Sequence, residues 1–114
     1  MQACTVLITA PDEQSANALA EALVSERLAA CVNILPGLTS VYRWQGEVQR
    51  EGEILLLAKT QKALLDSGEF VRRVKALHPY EVPEVIALPI VAGAADYLAW
   101  VEENTGAPPQ QPEK

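Results

Sequence analysis

From Cys4 to Thr9 the chain reads Cys-Thr-Val-Leu-Ile-Thr, rich in β-branched residues, and Ala10-Pro11-Asp12 stops it. The pattern predicts a strand closed by a turn. Asp12 is placed to cap a helix, with Glu13 in a first turn that suits the dipole. Ala16, Leu19, Ala20, Leu23 and Val24 then recur at spacings of three and four, which predicts an apolar stripe along about four helical turns. From Cys31 the period changes. Cys31 to Leu35 reads as strand, Pro36-Gly37 as an irregularity, and Thr39 to Trp44 as strand resumed. Gln45-Gly46 signals a turn, Glu47 to Arg50 begins the return, and Glu53 to Thr60 is the most apolar strand of the chain. Together these make one long hairpin, bulged where the proline must be seated. A second helix is predicted from Lys62 to Leu77, with Leu64, Phe70, Val71, Val74 and Leu77 inward and Gly68 inside it. His78-Pro79 ends that helix, because the residue before a proline avoids the α region. Glu84 to Ile90 is a last strand, and Gly93 to Asn104 a short helix with Tyr97 and Val101 inward. Residues 105–114, polar and proline-rich, are expected to form a disordered tail after a domain at 1–104.

Strand, helix, long hairpin, helix, strand, helix is an α+β order. Right-handed crossovers put the two main helices on one face of a four-stranded antiparallel sheet, a ferredoxin-like βαββαβ arrangement with a short C-terminal helix. Both faces of that sheet read as apolar. Ile54, Leu56 and Ala58 alternate with Leu55 and Leu57, Val85 and Ala87 with Ile86, Leu88 and Ile90, and Val6 and Ile8 with Leu7. Helices cover only one face, so the pattern predicts an obligate oligomer packed sheet to sheet, with the hairpin as the arm reaching a neighbour.

Composition narrows the function. The 114 residues suit one domain, and a formal net charge of −6 excludes a generic phosphate-backbone binder. No nucleic-acid partner is expected. The two cysteines, Cys4 and Cys31, are too few for a disulfide scaffold. With no signal peptide and no apolar run near the ~20 residues that span a bilayer, the reading is a cytoplasmic protein with no membrane partner.

No phosphate-binding loop, dinucleotide fingerprint, nucleophile elbow or Cys-x-x-Cys pair occurs, so no organic cofactor is expected. The single histidine, His78, opens His-Pro-Tyr-Glu-Val-Pro-Glu. It reads as a metal ligand or proton-transfer group beside Tyr80, Glu81 and Glu84, or as a ring that satisfies a carbonyl at the helix C-terminus. Cys31 reads as a small buried hydrophobe or a soft ligand for a thiophilic ion. Tyr42, Arg43 and Trp44 cluster near the hairpin tip, as at subunit contacts. Glu53 and Lys59 bracket the apolar strand, as solvated ends or as charges lining a cleft.

Five stretches in order carry a resemblance from Thr5 to about Thr105: Ile-Thr-Ala-Pro-Asp-Glu (8–13), Leu-Ala-Ala-Cys-Val-Asn-Ile (28–34), Pro-Gly-Leu-Thr-Ser-Val-Tyr-Arg-Trp-Gln-Gly-Glu (36–47), Leu-His-Pro-Tyr-Glu-Val-Pro-Glu (77–84) and Tyr-Leu-Ala-Trp (97–100). In these the chain resembles the CutA family of divalent-ion tolerance proteins. The resemblance implies a homotrimer related in architecture to the PII signalling proteins, and a link to copper and other divalent cations. It implies a cleft between subunits lined by Cys31, Trp44, Glu53, Lys59, His78, Tyr80 and Glu84, with His78 the residue left of the family's metal-associated set and Cys31 the further candidate ligand by residue type. Some members carry a cysteine and a second histidine where this chain has Ile8 and Leu77, so a site relying on all three ligands is not intact. The expectation is a homotrimeric, cytoplasmic copper or divalent-cation binding and tolerance protein without covalent catalysis, since no nucleophile–base pair is visible. A PII-like small-molecule signalling module and a trimeric structural scaffold are the alternatives.

Overall fold

A computed structural model describes residues 1–108. Strand β1 (Ala3–Ala10) leads into helix α1 (Glu13–Ser25), then β2 (Cys31–Trp44), β3 (Glu47–Gln61), α2 (Lys62–Asp66), α3 (Glu69–Leu77), β4 (Val85–Pro89) and α4 (Ala95–Glu103). The strands lie in the order β2-β3-β1-β4, every pair antiparallel. This is the ferredoxin-like α+β sheet that the order of elements predicts.

Local chemistry sets the boundaries. The Asp12 carboxylate accepts from the Ser15 N–H at 2.8 Å and opens α1. Ala16, Leu19, Ala20 and Leu23 are buried along its inner stripe, while Val24 falls outside it. The register of β2 against β3 shifts between Leu35 and Leu38, where the Pro36-Gly37 irregularity is predicted. At the far end Gln45 and Gly46 both take positive φ (50° and 82°), the tight hairpin turn whose twist matches its strands. The expected single helix from Lys62 to Leu77 is two helices. Gly68 has φ 85°, a left-handed conformation that no helix continues through, so α3 starts afresh after it.

One face of the sheet holds the core: Val6, Ile8, Leu56 and Ala58 pack against Leu19 and Leu23 of α1 and Phe70 and Val74 of α3. Cross-strand pairing defines the other face. Asn33, Leu57, Leu7 and Ile86 form one row across all four strands, with Leu35 and Leu55 on one side of it and Lys59, Thr5 and Leu88 on the other. No helix covers the centre of that row, and Ile86 and Leu88 are each 51% exposed. β1 pairs with β3 only from Ile54 onward, so Leu38–Trp44 and Glu47–Glu53 form a bare two-stranded ribbon. At about 3.3 Å per residue it projects roughly 23 Å beyond the sheet.

At the C-terminal end Val101 is buried, but Tyr97, expected inward, is 42% exposed. Thr105 and Gly106, assigned by composition to the tail, are tied into the fold. Thr105 is buried and its hydroxyl donates to the Val101 carbonyl at 2.8 Å, while the Gly106 N–H donates to the Arg27 carbonyl at 2.9 Å. The rest of the expected tail, 109–114, lies outside the described residues. Among the described residues no helix is long and apolar enough to cross a membrane.

Candidate functional site

A groove of about 810 Å³ opens where the ribbon leaves the sheet. Alternation along β3 turns Gln49, Glu51 and Glu53 to one face, opposite Tyr42, Ser40 and Leu38 of β2 in register. The proline-braced segment from Pro79 to Glu84, between α3 and β4, forms the other wall. The lining includes four carboxylates (Glu51, Glu53, Glu81 and Glu84), two tyrosines and Trp44, and neither lysine nor arginine.

Glu53 is the most enclosed of these acids, at 8% exposure, and its carboxylate accepts from the Tyr80 hydroxyl at 2.9 Å. Burial, then that hydrogen bond and the charges of Glu53 and Glu51, push the Tyr80 phenol far above its ordinary range. The Tyr42 phenol is raised too, by desolvation first and then by Glu51. Both hydroxyls stay protonated at neutral pH, and that of Tyr80 donates to Glu53.

His78 sits behind this wall. Its backbone N–H closes α3 on the Val74 carbonyl at 2.8 Å. The ring is buried, with Nε2 2.7 Å from the Thr9 carbonyl oxygen and Nδ1 accepting from the Tyr80 N–H at 3.0 Å. An Nδ1 that accepts carries no proton, so the proton is on Nε2 and donates to Thr9. Neither nitrogen retains a free lone pair for a metal in this arrangement. Nor does the ring meet a helix carbonyl; its partner is a strand, β1.

Cys31 and Lys59 lie elsewhere. They face each other across β2 and β3, and Thr5 continues their row. Thr5 is four residues from Thr9, about 13 Å along the strand. Cys31 is half-buried, and the Lys59 ammonium donates to the Asn33 side-chain oxygen. Burial raises the Tyr97 phenol, and the nearby Cys31 thiol adds to the shift. Of the residues singled out in the sequence, the fold thus gathers Trp44, Glu53, Tyr80 and Glu84 around the groove with His78 behind them. Cys31 and Lys59 stand at the opposite end of the sheet.

Within one chain the donors do not form a cage: among the described residues no group of three or more His, Cys, Asp or Glu side chains converges to hold a metal ion. Ile8 is fully buried on the helix-covered face, so a donor at that position would point into the core. Leu77 is exposed at the end of α3. Glu51 was not singled out in the sequence, although its place two residues before Glu53 on a strand signals a shared face. A shallower depression of about 370 Å³ lies by Glu26, Arg72 and Arg73, but there Glu26 and Arg73 already pair with each other.

The family model described as CutA1 divalent ion tolerance protein matches residues 4–104. The divalent-cation tolerance protein CutA of Thermus thermophilus is 60% identical over 101 residues, which are 89% of this chain and 96% of that protein. The chloroplastic protein CutA 1 of rice is 50% identical over 100 residues, 88% of this chain but 55% of the rice protein, so the chain spans about half of that relative. Among solved structures, the divalent cation tolerance protein from Thermus thermophilus superposes with a TM-score of 0.88 at 59% identity, covering 91% of this chain and 99% of that one. CutA1 from Oryza sativa gives a TM-score of 0.88 at 47% identity, over 93% and 95% of the two chains. Agreement on this scale takes in the bulged hairpin and the His78–Glu84 loop as well as the sheet, and it places the chain in the CutA1 divalent ion tolerance family.

Proposed function

We propose that the chain acts as a cytoplasmic homotrimer that binds divalent cations, copper among them, and confers tolerance to them without covalent catalysis. The observation that carries this reading is the apolar row Leu57–Leu7–Ile86, with Leu35, Leu55 and Leu88 around it, on the sheet face opposite α1 and α3. A patch of this kind on a soluble domain marks an interaction surface, and a second copy offers the same apolar face in return. The bare ribbon supports the same reading, since two strands alone are marginally stable in water. The number three is carried over from the likeness to the family.

Assembly also addresses the shortage of ligands. The groove offers the carboxylates of Glu51, Glu53 and Glu84, and the opposite end of the sheet offers the Cys31 thiol, a soft donor suited to copper. Cys4 and Cys31 are both free thiols, which favours a reducing compartment such as the cytoplasm. A PII-like module that takes a small molecule is supported by the size of the groove and its aromatic walls. The carboxylates disfavour the anionic effectors such a module would recognise, so the cation reading is preferred.

Sedimentation equilibrium at micromolar concentration tests the assembly, with a mass of three times 12.4 kDa expected. Calorimetric titration with Cu(II) and Zn(II) tests the site. Glu53→Gln and Cys31→Ser should each weaken binding by about tenfold or more. Single chains in the first measurement, or equal affinities for wild type and both variants in the second, overturn the reading.

A further inference from the structure

His78 is the chain's only histidine, and it is a metal-binding candidate by residue type. Its surroundings give it other work. The segment from His78 to Glu84 has no regular secondary structure and carries two prolines, Pro79 and Pro83. Among the described residues, two side-chain hydrogen bonds hold it to the sheet: His78 Nε2 to the Thr9 carbonyl on β1, and Tyr80 Oη to Glu53 on β3.

We propose that His78 is a positioning residue, which bolts this segment to β1 and so seats the Tyr80 hydroxyl on Glu53, and that it does not itself contact a cation.

The imidazole is a rigid bridge. One nitrogen donates to the Thr9 carbonyl at 2.7 Å and the other accepts the Tyr80 N–H at 3.0 Å, so the ring fixes the Tyr80 backbone relative to β1. The two rings also pack against each other, with centroids 4.9 Å apart at 46°. Because β3 is the neighbour of β1, a Tyr80 backbone held in this way delivers its hydroxyl to Glu53. Glu53 receives no other side-chain or backbone donor among the described residues. Its carboxylate is therefore oriented by Tyr80, and Tyr80 by His78, the relation in which outer groups fix a ligand that they support. That last step rests on the reading of the groove as a cation site. The bridge from His78 to Tyr80 does not.

Two spectroscopic measurements on the full-length protein test the proposal. With a single histidine, ¹⁵N-histidine labelling yields one pair of ring nitrogens, read with and without Zn(II). The expected spectrum is a protonated Nε2 and an unprotonated Nδ1 in both conditions. A metal-bound nitrogen, or a proton on Nδ1, overturns the proposal. The second measurement follows the ionisation of ¹³Cζ-labelled tyrosines, with Tyr80→Phe to assign the resonance. Two variants each keep one tether. His78→Asn retains a side-chain acceptor for the N–H two residues on, as in an Asx turn, and His78→Gln retains a donor that reaches toward Thr9. In both, with unchanged far-ultraviolet circular dichroism, Tyr80 should ionise at lower pH than in the wild type. An unmoved Tyr80 in both variants overturns the proposal. If the wild type binds no Zn(II), the functional reading fails, and the tyrosine measurement still decides the role of His78.

Discussion

The Arg27 guanidinium donates through Nε to the Gly106 carbonyl at 2.8 Å, and the Gly106 N–H donates back to the Arg27 carbonyl at 2.9 Å. A second arm, Nη2, reaches the Glu103 carbonyl at the end of α4 at 2.6 Å. Arg27 pins the C-terminal end of the described chain, and it does so from a strained backbone. Its φ is 61°, and the bonds from its own N–H to Val24 and from the Leu28 N–H to Leu23 form a Schellman turn, where glycine is usual. Arg27→Ala keeps the strain and loses the guanidinium, at an expected cost of about 1.5–3 kcal/mol. Arg27→Gly loses the same bonds but relieves the left-handed backbone, so it should be milder by up to ~1 kcal/mol. Urea unfolding measures the ranking. Amide exchange in α4 should accelerate in both variants.

Gly68 makes a second backbone test. A Cβ there would sit 2.8 Å from Arg72 Nη1, the far end of a flexible side chain that can move aside. The expected penalty of Gly68→Ala therefore lies in the φ of 85°, at about 1–2 kcal/mol. Adding Arg72→Ala should not rescue it. Recovery of the lost stability in the double variant would locate the strain in the side-chain contact instead.

These two positions also show where pattern reading stops. The four strands and their order were legible because a period of two and the crossover rule constrain them tightly, and the bulge followed from a proline inside a strand. The break at Gly68 was not, because a glycine within an apolar helical stripe is compatible with continuing or stopping. Thr105 read as tail by composition, yet its hydroxyl is bonded to Val101 and to Gln61 on a distant strand. At the site, residue type marked His78, but its partner Thr9 is sixty-nine positions earlier. Only the register of β1, β2 and β3 separates Cys31 and Lys59 from the groove.

The cap of α1 gives a pH dependence of definite sign. The Ser15 backbone N–H, first among the causes, holds the Asp12 carboxyl below its ordinary range. A folded value depressed below the unfolded one, near 3.9, contributes stability that is present above the unfolded value. It is lost as pH falls through the folded value. Asp12→Ala should lower Tm at pH 7, and the gap to wild type should close as the pH falls below the usual carboxylate range. A gap of constant size down to pH 2 would assign the effect to something other than the ionised cap.

Ile86 lies opposite Leu7 on the sheet face away from α1 and α3, and it is half exposed in the single chain. A lysine placed there would keep its ammonium in water in an isolated subunit, so Ile86→Lys should leave the fold within about 0.5 kcal/mol. Packed against a second copy, the same charge would be buried without a partner, a penalty of several kcal/mol. The variant should therefore sediment at 12.4 kDa under micromolar conditions with unchanged circular dichroism. Val91→Lys, at a nearly fully exposed position beyond β4, is the control and should leave the mass unaltered. If Ile86→Lys still assembles as the wild type does, this face is not where copies meet, and the interface lies on another surface.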